Sequence, residues 1–298
     1  MNPEHAEGVE ALSRDHLSPS SALAARASAI LQEAAAEDPA ALPELARAVV
    51  LAQPAMAALA CVANVALRAL EALGAESVRG ALVALQRGID ADRRAAADAL
   101  CSRIVEPVRV VTISASASVV EAIQALRRED LLLDVVCGES RPLLEGTALA
   151  RWLAEQGYDV LLATDAGLAE QLVERTIFVV GTDAILPRAV AHKCGTRPLA
   201  AWARLAGVPR YVLATRDKIY PHELAPLFAN PERSPVEILQ SPPPALRVEN
   251  RAFDLSSRDL WTEILVGARP LHEAEANGDH ALAQGLVPLL ERGPRPGA

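Results

Sequence analysis

The chain has 298 residues, 51% of them hydrophobic and 22% charged, and a formal net charge of −9. That composition is globular and long enough for two modest domains, while the acidity argues against a broad nucleic-acid surface, which needs clustered Lys and Arg to neutralise phosphates. Aromatic residues are only 3%, so the core has to be built from Ala, Leu and Val.

Residues 9–104 read as helix throughout, with Ala and Leu recurring at three- and four-residue intervals and Pro39, Pro43 and Pro54 marking breaks or first turns. The longest apolar stretch, 49–67, is interrupted by Gln53, Pro54 and Asn64. It falls short of the roughly 20 clean residues a bilayer span needs. The start, Met1 to His5, is acidic and lacks a basic segment followed by an apolar run. The expectation is a cytoplasmic protein without a membrane partner. Cys61, Cys101, Cys137 and Cys194 are widely separated, as free thiols are in a reducing compartment, and neither a metal site nor a cofactor is expected.

Near Pro107 the texture changes. Short apolar runs at 109–113, 131–137, 159–163, 177–180 and 210–214 alternate with helical stretches at 119–128, 147–155, 168–173 and 198–205. Such alternation is the pattern of βαβ units and a parallel sheet. The predicted organisation is a helical domain over 1–106 and a parallel-sheet α/β domain over 107–298, with right-handed crossovers and a ligand crevice at the carboxyl ends of the strands. Beyond Thr215, residues 220–244 are Pro-rich and read as an extended loop or dimer arm. A last helix is predicted over 256–266, and the tail 292–298 reads as disordered.

Strand ends hold the candidate chemistry. After the first strand, Ser114, Ser116 and Ser118 alternate with small residues. They permit either a phosphate seat at a helix N-terminus or an ordinary helix cap. Arg141, between the second strand and Pro142, fits either a bidentate phosphate grip or a surface ion pair with Glu139 or Glu145. Asp183 follows a buried strand and Gly181; it reads as a general acid or base, or as a loop cap. Lys193 and Lys218 are the chain's two lysines, and Lys193 suggests a site that needs a compact ammonium. Gly195 and Thr196 open a helix whose N–H groups point to an anion. Asp165 and His222 read as caps or surface residues.

Taken in order, Glu139-Ser140-Arg141-Pro142 with Glu145-Gly146, Ala163-Thr164-Asp165-Ala166, Val180-Gly181-Thr182-Asp183-Ala184-Ile185, Lys193-Cys194-Gly195-Thr196, and Glu249-Asn250 with Phe253-Asp254 resemble the family of initiation factor 2B alpha, beta and delta subunits. That family also holds methylthioribose-1-phosphate isomerase and ribose-1,5-bisphosphate isomerase. The resemblance runs over about 108–266, with a weaker N-terminal echo at Asp15 to Ser21. It implies an N-terminal helical domain and a Rossmann-like C-terminal domain of the ribose-isomerase and CoA-transferase type. It also implies a homodimer with the 249–266 segment at the subunit contact.

For the site, the resemblance implies that Asp183 is the proton donor and that Lys193 contacts substrate. Ser116, Arg141, Glu145, His192, Gly195, Thr196, Ser18 and Ser20 take the remaining ligand-binding places. The sequence departs from the isomerases at Ser114, where they have cysteine, at Ser18-Pro19-Ser20, where they have Arg-Gly-Ala, at Glu145 for Gln, and at His192 for Asn. A serine hydroxyl does not titrate near neutrality without an activating base. The first expectation is therefore a protein that binds a phosphorylated sugar or nucleotide and acts in regulation or through protein contacts. The alternative is an active isomerase converting an aldose 1-phosphate to a ketose 1-phosphate.

Overall fold

The computed structural model describes residues 2–230, 232–277 and 281–292. Five helices come first: α1 (Pro3–Arg14), α2 (Ser20–Glu37), α3 (Leu42–Ala52), α4 (Ala57–Leu73) and α5 (Glu76–Cys101). Local chemistry sets several of their ends. Asn2 caps α1 by accepting from the Glu4 N–H at 3.1 Å, and Pro3 occupies its first turn, where no intrahelical N–H is needed. Gly74 closes α4 at φ 87°, a conformation that costs other residues strain. Leu12, Leu23, Leu31, Leu45, Leu59 and Leu67, all fully buried, fill the centre of this bundle. Among the described residues no helix is long and apolar enough to cross a membrane.

The second part alternates as its hydrophobic pattern dictates: β1 (Val108–Thr112), α6 (Ala117–Arg128), β2 (Leu132–Gly138), α7 (Glu145–Glu155), β3 (Val160–Ala163), β4 (Thr176–Val180), β5 (Ala184–Ile185), β6 (Ala189–Lys193), α8 (Thr196–Leu205) and β7 (Arg210–Ala214). β8 (Phe253–Ser257), β9 (Glu263–Val266), β10 (Arg269–Pro270) and α9 (Leu271–Asn277) complete it. The main sheet has seven strands in the order β10-β9-β7-β4-β1-β2-β3, parallel except for β10. β5, β6 and β8 form a separate antiparallel sheet. The chain is thus an α/β fold, an N-terminal helical region followed by a Rossmann-like sheet. Strand order runs outward in both directions from the neighbours β1 and β4, so the switch point at which such sheets bind ligands lies between their carboxyl ends.

Apolar residues cover both faces of the sheet. Ala97 and Leu100 of α5 join α6 and α7 on one face, while Leu199 and Ala203 of α8 pack with Phe178 and Trp261 on the other. Because Val78 and Leu82 of the same α5 belong to the bundle core, this helix is shared by both halves. Asp92 of α5 fixes it to the end of β7 through two hydrogen bonds to the Arg216 guanidinium, at 2.7 and 2.8 Å.

One predicted element is wrong. Residues 256–266 are not a helix: they end β8, pass through a short 3-10 turn at Arg258–Leu260, and form β9. The backbone of this stretch pairs inside the chain, β8 with β6 and β9 with β7. The Pro-rich segment holds 3-10 turns at His222–Leu227 and Pro235–Glu237 and is tied back on the protein, where the Arg233 guanidinium donates to the His16 carbonyl at 2.8 Å. The predicted disordered tail lies, beyond Arg292, outside the described residues.

Candidate functional site

A cavity of about 590 Å³ opens at the switch point, within the size range of small-molecule sites. The ends of β1 and β4 form its floor, residues 18–21 at the start of α2 close one side, and Arg233, Asn250 and Phe253 reach it from the C-terminal segment. At the floor, α6 begins so close to β4 that a Cβ on Gly181 would lie 2.3 Å from the Ser116 Oγ. Only glycine allows that approach. Ser116 occupies the N-cap position but makes no side-chain cap hydrogen bond. The cap reading of this serine is therefore excluded, and Ser116, Ala117 and Ser118 present the first turn of α6 to the cavity.

Ser114 follows β1 in a left-handed conformation, φ 70°, which is uncommon for a residue with a side chain and concentrates at functional sites. Its N–H donates to the Oγ of Ser140 at 2.7 Å, and Ser140 is fully buried with φ 66°. Ser140 is held in turn by Asp165, whose carboxylate accepts from the Ser140 and Arg141 N–H groups, each at 2.7 Å. Asp165 stands at the N-cap position of a 3-10 helix, Ala166–Gln171, but its carboxylate makes no cap bond there and holds the Ser140 turn instead. Its position was legible in principle, since Ala163 pairs with Gly138 and brings the ends of β3 and β2 side by side.

The Ser114 hydroxyl donates to Glu145 Oε1 at 3.0 Å. Lys193 Nζ lies 2.6 Å from that same oxygen, with its side chain only 10% exposed. Glu145 Oε2 is buried with no hydrogen-bond partner among the described residues. Asp183 also lines the cavity. Its N–H donates to the Ala191 carbonyl and its own carbonyl accepts from Ala57, both at 3.0 Å, so the β5–β6 hairpin and the start of α4 fix its backbone.

Ser18 and Ser20 line the cavity from the helical side. Asp15 shapes their turn, accepting from the Ser18 N–H at 2.9 Å and the Ser18 hydroxyl at 2.8 Å. Those bonds to Ser18, with Arg26 adding to them, hold the Asp15 carboxyl well below the usual carboxylate range. Lys218 donates to the Ser20 Oγ at 2.6 Å. Both lysines of the chain therefore sit at one cavity, and Arg93 and Arg233 line it as well. Lys218, Arg93 and Arg233 escaped the sequence reading because nothing local marks them; three distant segments bring them together.

Three expectations need correction. Arg141 does not line the cavity: it is exposed, and its guanidinium points across the surface to the Ile238 carbonyl at 3.5 Å. His192 is 1% exposed and lies behind the cavity wall, its ring 4.9 Å from that of Trp261. Gly195 does not offer a free N–H, because the Asp254 carboxylate accepts from Gly195 at 2.8 Å and from Arg197 at 3.1 Å. The anion seat at the start of α8 is thus occupied by the protein's own carboxylate. Thr196 alone of that turn lines the cavity. Removing the cap by Asp254→Ala is expected to cost about 1–2 kcal/mol, read as a lowered midpoint in urea; an unchanged midpoint would show that solvent replaces it.

Residues 17–267 match the Initiation factor 2 subunit family. The chain is 34% identical over 152 residues to a methylthioribose-1-phosphate isomerase of Exiguobacterium sibiricum, covering 47% of this chain and 43% of that protein. It is 32% identical over 177 residues to a ribose 1,5-bisphosphate isomerase of Archaeoglobus fulgidus, covering 56% of each. The chain thus spans about half the length of the curated relatives it matches. In fold it is similar to the translation initiation factor eIF-2B of Pyrococcus horikoshii, with a TM-score of 0.79 at 23% identity, covering 93% of this chain and 100% of that one. The match over 17–267, with a fold shared over almost the whole length, places this chain in the Initiation factor 2 subunit family.

Proposed function

We propose that this chain binds a phosphorylated sugar in the switch-point cavity and isomerises it from an aldose 1-phosphate to a ketose 1-phosphate. The observation that carries the reading is the convergence of Asp183 and the linked Ser114, Glu145 and Lys193 on one cavity, beside the uncapped start of α6. The names of the isomerase relatives favour turnover over binding alone.

The chemistry sets what the site must supply. In a ring-closed aldose 1-phosphate, isomerisation breaks the bond between C1 and the ring oxygen, and that oxygen takes a proton. The hydrogen on C2 moves with its bonding pair to C1, and the C2 hydroxyl loses its proton as the carbonyl forms. One acid and one base suffice, and no electrons enter or leave. Asp183 is the acid in this reading. The phosphate sits at the first turn of α6, where helix N–H groups and nearby ammonium and guanidinium groups favour an anion. Ser114, in place of a thiol, supports a second reading in which the protein binds the sugar without converting it.

Incubation of the full chain with methylthioribose 1-phosphate and with ribose 1,5-bisphosphate, followed by NMR, tests the choice. Ketose formation is expected from one of them, together with thermal stabilisation of about 2.7 kcal/mol at a hundred times the dissociation constant. Stabilisation without ketose would replace isomerisation by binding; neither result would remove both readings.

A further inference from the structure

We infer that Ser114 and Glu145 act as one unit, a serine–carboxylate relay that supplies the base of the isomerisation. The inference rests on the isomerase reading and names the second group that reading requires. A serine hydroxyl alone is a poor base partner at neutral pH, because nothing takes its proton. Here a carboxylate does: Glu145 Oε1 accepts the Ser114 hydroxyl at 3.0 Å.

Two departures from the isomerases, serine for cysteine and glutamate for glutamine, thus fall on residues in direct contact. An amide in place of Glu145 accepts a hydrogen bond but takes no proton. A carboxylate does both. In this chain the pair's capacity to hold a proton lies on Glu145, in contact with the Ser114 hydroxyl.

The surroundings hold the relay in place. The left-handed backbone of Ser114 is fixed by its N–H bond to the buried Ser140. Lys193 anchors Oε1 from the other side at 2.6 Å. Oε2 is buried and has no partner among the described residues, so proton exchange between this carboxylate and the cavity runs through Oε1 and the serine. In the reaction, the sugar's C2 hydroxyl proton passes to Ser114 Oγ as the Ser114 proton passes to Glu145. The C2 hydrogen moves with its electron pair to C1, the bond from C1 to the ring oxygen breaks, and Asp183 protonates that oxygen. Each turnover leaves Glu145 protonated and Asp183 ionised, and exchange with water restores both. Ser114 is the group that touches the sugar; Glu145 is a positioning residue that receives the proton through it.

The test compares steady-state kinetics of the wild type, Glu145→Gln, Ser114→Ala, the Ser114→Ala/Glu145→Gln double variant, and Ser114→Cys/Glu145→Gln, all as full chains with the two sugar phosphates above. Glu145→Gln is expected to lower kcat by about 10²–10⁴-fold with KM little changed. Ser114→Ala, which leaves the Glu145–Lys193 pair intact, is expected to do the same. The Ala/Gln double variant should be no slower than either single variant, as for residues that act together. Ser114→Cys/Glu145→Gln, which restores the isomerases' own pair, should recover activity relative to Glu145→Gln alone. Wild-type kcat in Glu145→Gln, or losses that simply multiply, would overturn the relay while leaving the isomerase reading in place. An inert wild type would overturn the isomerase reading of this chain, and the relay with it, whether or not the Cys/Gln variant is active.

Discussion

Asp183→Asn is expected to lower kcat by about 10²–10⁴-fold, the usual contribution of a general acid or base, while leaving the sugar phosphate bound. Asn has nearly the shape of Asp, and the contacts that fix the position are made by the backbone: the bonds from Asp183 N–H to Ala191 and from Ala57 to the Asp183 carbonyl survive the change. The amide cannot give up a proton to a departing ring oxygen. In the proposed reading the phosphate rests on other groups that line the cavity, the α6 start, Lys193 and Lys218, so thermal stabilisation by ligand should persist. Equal losses in kcat and in stabilisation would mean that Asp183 binds the sugar and that another group is the acid. An unchanged kcat would remove Asp183 from the chemistry altogether.

The alternation of strands and helices between 107 and 214 was legible because each parallel strand is a short apolar run and each helix an amphipathic stretch of about ten residues. β8 and β9 were misread for a physical reason. Leu260, Trp261, Ile264 and Leu265 recur at helical spacing, yet β9 finds an open edge on β7 and pairs from Glu263 to Val266. Tertiary pairing overrides so short a pattern. In the site, Ser114, Ser116 and Asp183 could be read because they follow strand ends, and Lys193 because it is one of two lysines in the chain, whereas Glu145 entered only through the family resemblance. Arg141 could not be placed: the Asp165 carboxylate holds its backbone, and the side chain is directed outward. His192 and Lys193 were both assigned to the ligand, although neighbours on a strand point to opposite faces. Lys193 faces the cavity, so His192 faces the core.

That inward histidine leads to the second large effect, a loss of stability in acid that Asn at 192 would remove. Burial pulls the His192 pKa from 6.5 down to about 4, outweighing the opposing pull of the Gly181 carbonyl, Asp183 and Asp254. The ring is therefore neutral in the fold at neutral pH. Its Nδ1–H donates to the Gly181 carbonyl at 2.9 Å, and its Nε2 accepts from the Ser256 hydroxyl at 3.1 Å. The Trp261 indole N–H donates to that same hydroxyl at 2.9 Å, which completes the chain. Because the folded value lies below the unfolded one, the neutral ring's contribution is full above about pH 6.5 and is lost as pH falls from there to about 4. At about 1.4 kcal/mol per pH unit, the loss is about 3 kcal/mol, a large part of the ~5–15 kcal/mol that holds a typical domain. Charging the ring would also turn Nε2 from an acceptor into a donor and break the bond from Ser256. Urea unfolding of the wild type and of His192→Asn at pH 7.5 and pH 4.5 separates this effect from the titration of surface carboxylates, which both proteins share. The wild type should lose about 2–3 kcal/mol more than the variant between the two pH values. Equal losses in the two proteins would show that folding leaves the His192 pKa at its unfolded value and that the acid transition belongs to other groups.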